Sequence, residues 1–251
     1  HEFGLQSQSE HHHGESPLLD IPELGMVSQF PLDYMHLVCL GVVRRLVFLW
    51  WEGPLKMRLG LRDREAISSH LVLLSKDTSM PLDFARKPRS LSERARWKAT
   101  EWRQFLLYTG PVVLRDVLDP RMYNNFLLLS VGIAVLANPA LSVLYADYAH
   151  QLLTAFVEHY ASLYGGSQLT YNVHNLTHLA NDVKLHGSLD AFSAFPFENF
   201  LGSLKALIRK KHQLLEQIVR RIFEKSAVIL ENPPSLLKSQ FRVDLGMEHF
   251  K

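Results

Sequence analysis

Apolar residues recur three and four positions apart along most of this chain, and that spacing builds one face of an α-helix. A first helix is predicted from Leu32 to Trp51, just after Pro31. Further helical segments are predicted at 62–74, 100–108, 111–118, 120–137 and 141–164. The pattern therefore predicts a mainly α-helical protein built as a helical bundle.

Breaks between these segments fall at residues that interrupt helices. Gly110, the pair Asp119-Pro120 and the pair Asn138-Pro139 separate the segments from one another. Glycine and proline are the strongest local signals for a helix end or a turn. The segments between these breaks are apolar on most of their faces, so we expect them to form the interior of the bundle.

The stretch from Leu169 to Lys211 differs because histidines, acids and bases recur in it at helical spacing. His174 and His178 are four residues apart, which places them on one face of a helix. Asp182 follows one turn later, and Gly187 is expected to end that helix. The pair suggests a zinc hypothesis, with His186 or Asp182 as a third ligand. The zinc-protease motif is absent, and hydrogen-bonded structural histidines are the alternative.

A second helix is predicted in this stretch after Pro196. Glu198 lies in its first turn, where the helix dipole favours a carboxylate. Its last turn is predicted to hold Arg209, Lys210 and Lys211, where the dipole favours positive charge. The two predicted helices give the stretch a helix, turn, helix arrangement.

The remaining organisation is predicted in three parts. Residues 1–30 are rich in Ser, Gly, Pro and acids and are expected to be irregular, residues 31–225 form the helical domain, and residues 226–251 form an irregular tail. The chain begins without a methionine, so we expect a fragment whose first residues end a missing upstream region.

Composition excludes several classes of protein. The chain of 251 residues is 47% apolar and 21% charged, which is typical of a packed globular protein. A single cysteine, Cys39, rules out an internal disulfide and a Cys-rich zinc module. There is no secretory signal, and the longest apolar run, 126–137, falls short of the roughly twenty residues that cross a bilayer. We expect a soluble protein with neither a membrane partner nor a small-molecule substrate.

The formal charge of +2 means that nucleic-acid binding would have to come from local basic patches. One candidate patch lies within residues 86–98, flanked by Trp97 and Trp102, because cations with aromatics can hold phosphates and stack on bases. The alternative is a solvated loop with both tryptophans in the core. A second patch is predicted on consecutive helical turns, with ordinary solvated faces as its alternative. The candidate DNA-binding residues are Arg86, Lys87, Arg89, Arg96, Lys98, Arg209, Lys210, Lys211, Arg220 and Arg221.

Three separated blocks resemble a known family. These are FPLDYMHLVCLGVVRRL, then ARKPRSLSERARWKATEWRQFLLYTGP, then YNVHNLTHL followed by FPFENFLGSLK. In this order they resemble the C-terminal part of transposase-derived proteins related to the CACTA group of DNA transposons. The resemblance covers roughly Glu10 to Lys225.

The resemblance implies a DDE-type transposase with a split RNase H-like fold, of which this chain would be the helical insertion and the C-terminal catalytic helix. In such enzymes three carboxylates hold two divalent ions, Mg²⁺ or Mn²⁺, that cut and join DNA phosphodiesters. Glu198 would be the third acid, and Asp33 with His36 would be the family's Asp-x-x-His motif. From the residues alone, Asp33 is a helix cap and His36 a core-edge imidazole.

The first two acids would precede the Asp-x-x-His motif, either before His1 or in the first thirty residues, where no alternating strand is visible. We therefore expect this chain to be catalytically incomplete. The implied partner is double-stranded DNA, a homo-oligomer is a further expectation, and the implied location is the nucleus, or otherwise the cytoplasm. A non-catalytic scaffold that binds DNA or protein is the alternative function, and a zinc-binding helical domain is the third. The candidate metal ligands are Glu198, His174 and His178.

Overall fold

The regular structure of the described residues is helical throughout, and it contains no strand. This computed structural model describes residues 14–76, 81, 84 and 86–231, with side chains up to Ser226. The mainly α-helical class is therefore confirmed. Among these helices, none has the length and apolar character needed to cross a membrane.

Ten α-helices and two π-helices make up most of this structure. The α-helices are α1 (Arg44–Glu52), α2 (Leu61–Lys76), α3 (Ala99–Gln104), α4 (Gly110–Val113), α5 (Pro120–Ala137), α6 (Pro139–Tyr164), α7 (Tyr171–His174), α8 (Leu179–His186), α9 (Phe195–Ala206) and α10 (Leu214–Glu231). The π-helices are π1 (Met35–Val43) and π2 (Phe105–Thr109). Short 3₁₀ turns lie at Pro17–Asp20, Leu91–Arg96, Gly166–Gln168, Asn175–His178 and Leu189–Ala191.

The chain divides into two compact units, and the domain bounds predicted from the sequence stay a prediction. The first unit ends at Ala194 and the second begins at Phe195. The first contains every helix from π1 to α8, and the second contains α9 and α10. The described part of the predicted N-terminal segment, residues 14–30, has one 3₁₀ turn and otherwise turns and loops, as its composition indicated.

The core of the first unit is organised on the pair α5 and α6. The predicted breaks are the caps of these helices: the Asp119 side chain accepts a hydrogen bond from the Arg121 amide, and the Asn138 side chain accepts from Ala140 and Leu141. Such caps satisfy amide groups that the helix itself cannot. Large apolar side chains from both helices are fully buried between the elements, including Phe126, Leu129, Ile133, Leu153 and Phe156.

The predicted helix from Leu32 to Trp51 is observed with an unexpected geometry. Its first part, π1, is wound as a π-helix, and only the second part, α1, is an ordinary α-helix. Six of the nine residues of π1 are buried, and π1 packs against α3 and α7. Gly41 allows this close approach, since a Cβ atom there would lie 2.5 Å from the amide nitrogen of the Asn172 side chain.

The ends of the last two helices differ from the prediction. The helix that begins near Pro196 ends at Ala206, so Arg209, Lys210 and Lys211 lie in a loop instead of its last turn. The last helix, α10, continues to Glu231, so the first residues of the predicted tail are helical. Residues 232–251 and 1–13 lie outside the described part of the chain.

Candidate nucleic-acid interface and the Asp-x-x-His pair

The most exposed cationic segment of the second unit is the basic loop, defined here as Arg209 to His212, between α9 and α10. All four of its residues are exposed. The side chain of Gln217, one turn inside α10, holds the backbone of this loop. Its Oε1 accepts hydrogen bonds from the amides of Arg209 (2.9 Å) and Lys210 (3.1 Å). Its Nε2 donates to the carbonyls of Lys210 (3.0 Å) and His212 (2.7 Å).

The charges of the basic loop differ in environment from those on α10. Within the described residues, no carboxylate forms an ion pair with the side chains of the basic loop. Arg220 and Arg221 are instead both paired with Glu224, at 3.1 Å and 2.8 Å. The sequence placed both basic groups in one patch. The structure distinguishes them: the basic loop forms no ion pair within the described residues, and the charges of Arg220 and Arg221 are partly neutralised by Glu224.

The first predicted patch, residues 86–98, is also divided. Arg89 is an internal ion-pair partner, because its Nε lies 2.6 Å from Oε1 of the buried Glu101 and its Nη1 lies 3.0 Å from Glu93. The hydrogen bond to Glu101 raises the pKa of Arg89. These ion pairs give Arg89 a structural role, and its role in DNA binding stays a prediction. The other candidates of this patch, Arg86, Lys87, Arg96 and Lys98, are exposed.

The tryptophans of this patch do not form a stacking surface. Trp97 is 7% exposed and Trp102 is fully buried, and their rings pack against each other with centroids 4.7 Å apart. The alternative that places both in the core is confirmed. The cations and aromatics alternate here because the basic residues of 86–98 directly precede α3, whose Trp102 is buried.

Arg94, which lies within the first predicted patch, belongs to a group of arginines and aromatics on the first unit. The Arg94 guanidinium lies over the rings of Phe48 (5.1 Å) and Trp51 (4.7 Å), and the Arg64 guanidinium lies over the Trp51 ring at 5.3 Å. Arg94 also pairs with Glu52, and its burial lowers its pKa. These contacts join α1, α2 and the 3₁₀ turn at Leu91–Arg96, so Arg94 has a structural role.

Asp33 and His36 form a close pair at the start of π1. One oxygen of Asp33, Oδ2, lies 2.5 Å from His36 Nδ1 and accepts the His36 amide at 2.8 Å. The other, Oδ1, accepts the amides of Ala194 (2.7 Å) and Met35 (3.3 Å). Asp33 is thus a helix cap that also fixes the end of the first unit. The His36 side chain is 57% exposed, so it lies at the surface and not at the edge of the core.

These contacts bear on the divalent metal that the resemblance implies. Both oxygens of Asp33 accept hydrogen bonds from this chain. Glu198 lies exposed in the first turn of α9 as predicted, in the second unit. Among the residues that the structure describes, no three His, Cys, Asp or Glu side chains come together as a metal-binding group. The described residues by themselves do not fit a two-metal site.

The two histidines of the zinc hypothesis do come together. The rings of His174 and His178 are in edge contact with centroids 5.3 Å apart. Each candidate for the third ligand has a hydrogen-bond partner on the N-terminal segment: Asp182 Oδ2 accepts the Leu32 amide (2.9 Å), and His186 Nε2 lies 2.9 Å from the Ser28 carbonyl. Among the described residues, no third His, Cys, Asp or Glu joins the pair as a metal-binding group, and zinc binding stays a prediction.

Gln217, which holds the basic loop, is a residue that sequence analysis missed. It lies on the polar side of an amphipathic helix, where a glutamine needs no special explanation, and no local pattern marks it.

Comparison of the chain with models of known protein families, with curated proteins and with solved structures finds no match. The resemblance to the transposase-derived family stays a prediction that rests on the three sequence blocks quoted above.

Proposed function

We propose that this chain is the DNA-holding part of a transposase-like protein, and that the basic loop binds the phosphate backbone of duplex DNA. The observation that carries the proposal is the Gln217 side chain, whose four hydrogen bonds hold a loop of consecutive cations in one conformation. The split RNase H-like fold and the nuclear location implied by the resemblance belong to the same proposal.

The electrostatics of the basic loop favour binding of phosphates. Arg209, Lys210 and Lys211 are exposed and have no ion-pair partner among the described residues. Binding to phosphate therefore does not require an existing ion pair to break. Contacts of this kind release counterions and carry no sequence information. We expect affinity that falls steeply with salt and is nearly independent of DNA sequence.

Fixing the loop before binding adds to this affinity. An unrestrained loop would lose backbone entropy when it docks on DNA, at about 1–2 kcal/mol for each residue that becomes ordered. The hydrogen bonds of Gln217 impose that order in the free protein. The loop should therefore bind more tightly than a flexible segment with the same charge.

Metal-dependent cutting and joining of DNA is the second candidate function. The resemblance implies it, and the exposed carboxylate of Glu198 in the first turn of α9 favours it. Among the described residues, no three His, Cys, Asp or Glu side chains come together as a metal-binding group. We expect this chain by itself to hold DNA without cutting it.

The test is a binding assay with short duplexes of random sequence. The informative variant replaces Arg209, Lys210 and Lys211 with glutamine. The matched control replaces Arg220 and Arg221 with glutamine, because these lie in the same unit but are paired with Glu224. We expect the first variant to lose most of its affinity and the control to keep most of it.

Two results would contradict the proposal. Equal losses in both variants would mean that general charge, and not the basic loop, attracts the DNA. Absence of binding by the unmodified protein at low salt would remove the DNA function altogether. For the catalytic candidate, Mg²⁺-dependent nicking that disappears in Glu198→Gln would show activity where we expect none.

A further inference from the structure

An open cavity of about 920 Å³ lies on the first unit. One wall is the face of α7, the following 3₁₀ turn and α8. The other is the N-terminal strap, defined here as residues 19–32. Ligand sites in proteins are commonly about 300–1,000 Å³ in volume, apolar for the most part, with a few converging polar groups. This cavity has the size and the mixed lining of such a site.

The strap supplies the apolar wall. Its lining side chains include Leu24, Met26, Val27 and Phe30. The strap is tied to the opposite wall by two polar side chains of α8: the Leu32 amide donates to Asp182 Oδ2, and the Ser28 carbonyl contacts His186 Nε2. These contacts hold the strap beside the helices and keep the cavity between them.

The polar wall presents hydrogen-bond acceptors. Asn175 Nδ2 donates to the Tyr171 carbonyl at 2.9 Å, which orients this amide, and its Oδ1 has no partner among the described residues. Asp182 uses Oδ2 for the Leu32 amide, and Oδ1 has no partner among the described residues. Both Asn175 and Asp182 line the cavity, and each offers an oxygen as an acceptor. A ligand that donates hydrogen bonds would satisfy them.

The charge of the lining residues also favours a ligand that donates hydrogen bonds. Asp182 is the one carboxylate among the described lining residues, and no lysine or arginine lies with it. Its orientation is fixed by the Leu32 amide before any ligand arrives. The aromatic ring of Tyr171 also lines this wall, and the face of a tyrosine ring attracts a cation. The lining therefore disfavours anions, DNA phosphates included, and favours a cation.

We propose that this cavity binds a small organic ammonium ion with an apolar body. The ammonium group donates to Asp182 Oδ1 and Asn175 Oδ1, and the body lies against the strap. The site is independent of the DNA contact assigned to the basic loop. It also departs from the expectation, drawn from the sequence, that the chain has no small-molecule ligand.

The experiment compares three probes of similar shape by calorimetric titration of the full chain: phenethylamine, 2-phenylethanol and 3-phenylpropionate. They differ in carrying a positive, a neutral or a negative polar group. A charge-assisted hydrogen bond is stronger than a neutral one, and we expect the amine to bind at least about tenfold more tightly than the alcohol. The carboxylate should bind most weakly.

Two variants assign the binding to the cavity. Asp182→Asn keeps an oxygen for the Leu32 amide and removes the charge, so the amine should lose its advantage over the alcohol. Asn181→Trp places a bulky ring at a lining position whose own side chain is exposed, and it should weaken binding of the amine and the alcohol alike. Glu158→Gln, which removes an exposed acid outside the cavity, should leave all three affinities unchanged.

The proposal is wrong if the three probes bind equally, or if none binds. It is also wrong if the preference for the amine persists in Asp182→Asn. Circular dichroism of each variant guards against loss of fold, and if Asp182→Asn does not fold, Asn181→Trp decides the question. Amine binding that survives in Asn181→Trp would place the ligand elsewhere and overturn the assignment.

Discussion

Replacing Gln217 with leucine separates the charge of the basic loop from its order. The substitution leaves every cation in place and removes all four hydrogen bonds that hold the loop backbone. Leucine favours a helix at least as much as glutamine does, so α10 should persist. DNA affinity should fall, because the loop must then be ordered at the moment of binding.

The size of this effect follows from the number of restrained residues. The hydrogen bonds reach the backbones of Arg209, Lys210 and His212. Full release of three residues would cost about 3–6 kcal/mol. Neighbouring loop residues retain part of the order, and a loss of about 1–2 kcal/mol, or roughly 5- to 30-fold in affinity, is a realistic expectation.

The assay measures DNA affinity at several salt concentrations for the wild type and Gln217→Leu. Because the number of phosphate contacts is unchanged, the logarithm of affinity should fall with the logarithm of salt at the same slope in both proteins. Gln151→Leu, an exposed glutamine on α6, controls for the substitution itself. Unchanged affinity in Gln217→Leu would refute the reasoning that loop order contributes to binding.

Three further predictions concern the first unit. Gly41→Ala should lower stability by about 1–3 kcal/mol, since its Cβ would lie 2.9 Å from a backbone carbonyl of the preceding turn. The control is Gly202→Ala, whose Cβ meets nothing within 4 Å. Thermal unfolding compares the two variants, and equal melting temperatures would contradict the packing argument. Tyr164→Phe should cost about 1–3 kcal/mol in denaturant unfolding, because it removes the acceptor at 2.9 Å from the buried Trp50 Nε1; a stability equal to wild type would show that this hydrogen bond contributes little. Burial raises the pKa of the Cys39 thiol to about 12. A thiol reagent at mildly alkaline pH should therefore label the unfolded chain and leave the folded chain unlabelled. Rapid labelling of the folded chain would mean that π1 opens readily.

Much of the helical framework could be predicted because its signals are local. The caps Asp119 and Asn138 stand beside the prolines that begin α5 and α6, and each cap bonds amides two or three residues away. The winding of π1 could not be predicted in this way. Its apolar residues satisfy helical spacing, and its geometry depends on close packing against Asn172, far along the chain.

The basic loop could not be predicted for a different reason. Arginine and lysine form helices well and are favoured near helix C-termini, so the prediction of a last helical turn was reasonable from local preference. The structure ends α9 at Ala206 and holds the loop by Gln217, with Gln213 at a positive φ of 54° before α10 begins. These hydrogen bonds, made by a residue five to eight positions further along the chain, stabilise the loop against the helical preference of its residues, and they form the feature on which the proposed function depends.

The slope of DNA affinity against salt tests the central claim most directly. Each phosphate contact contributes about 0.9 to this slope. Removing the three cations Arg209, Lys210 and Lys211 should therefore reduce the slope by up to about 2.7, while removing Arg220 and Arg221 should change it little. Equal slopes for the wild type and the triple glutamine variant would mean that the basic loop does not contact DNA phosphates.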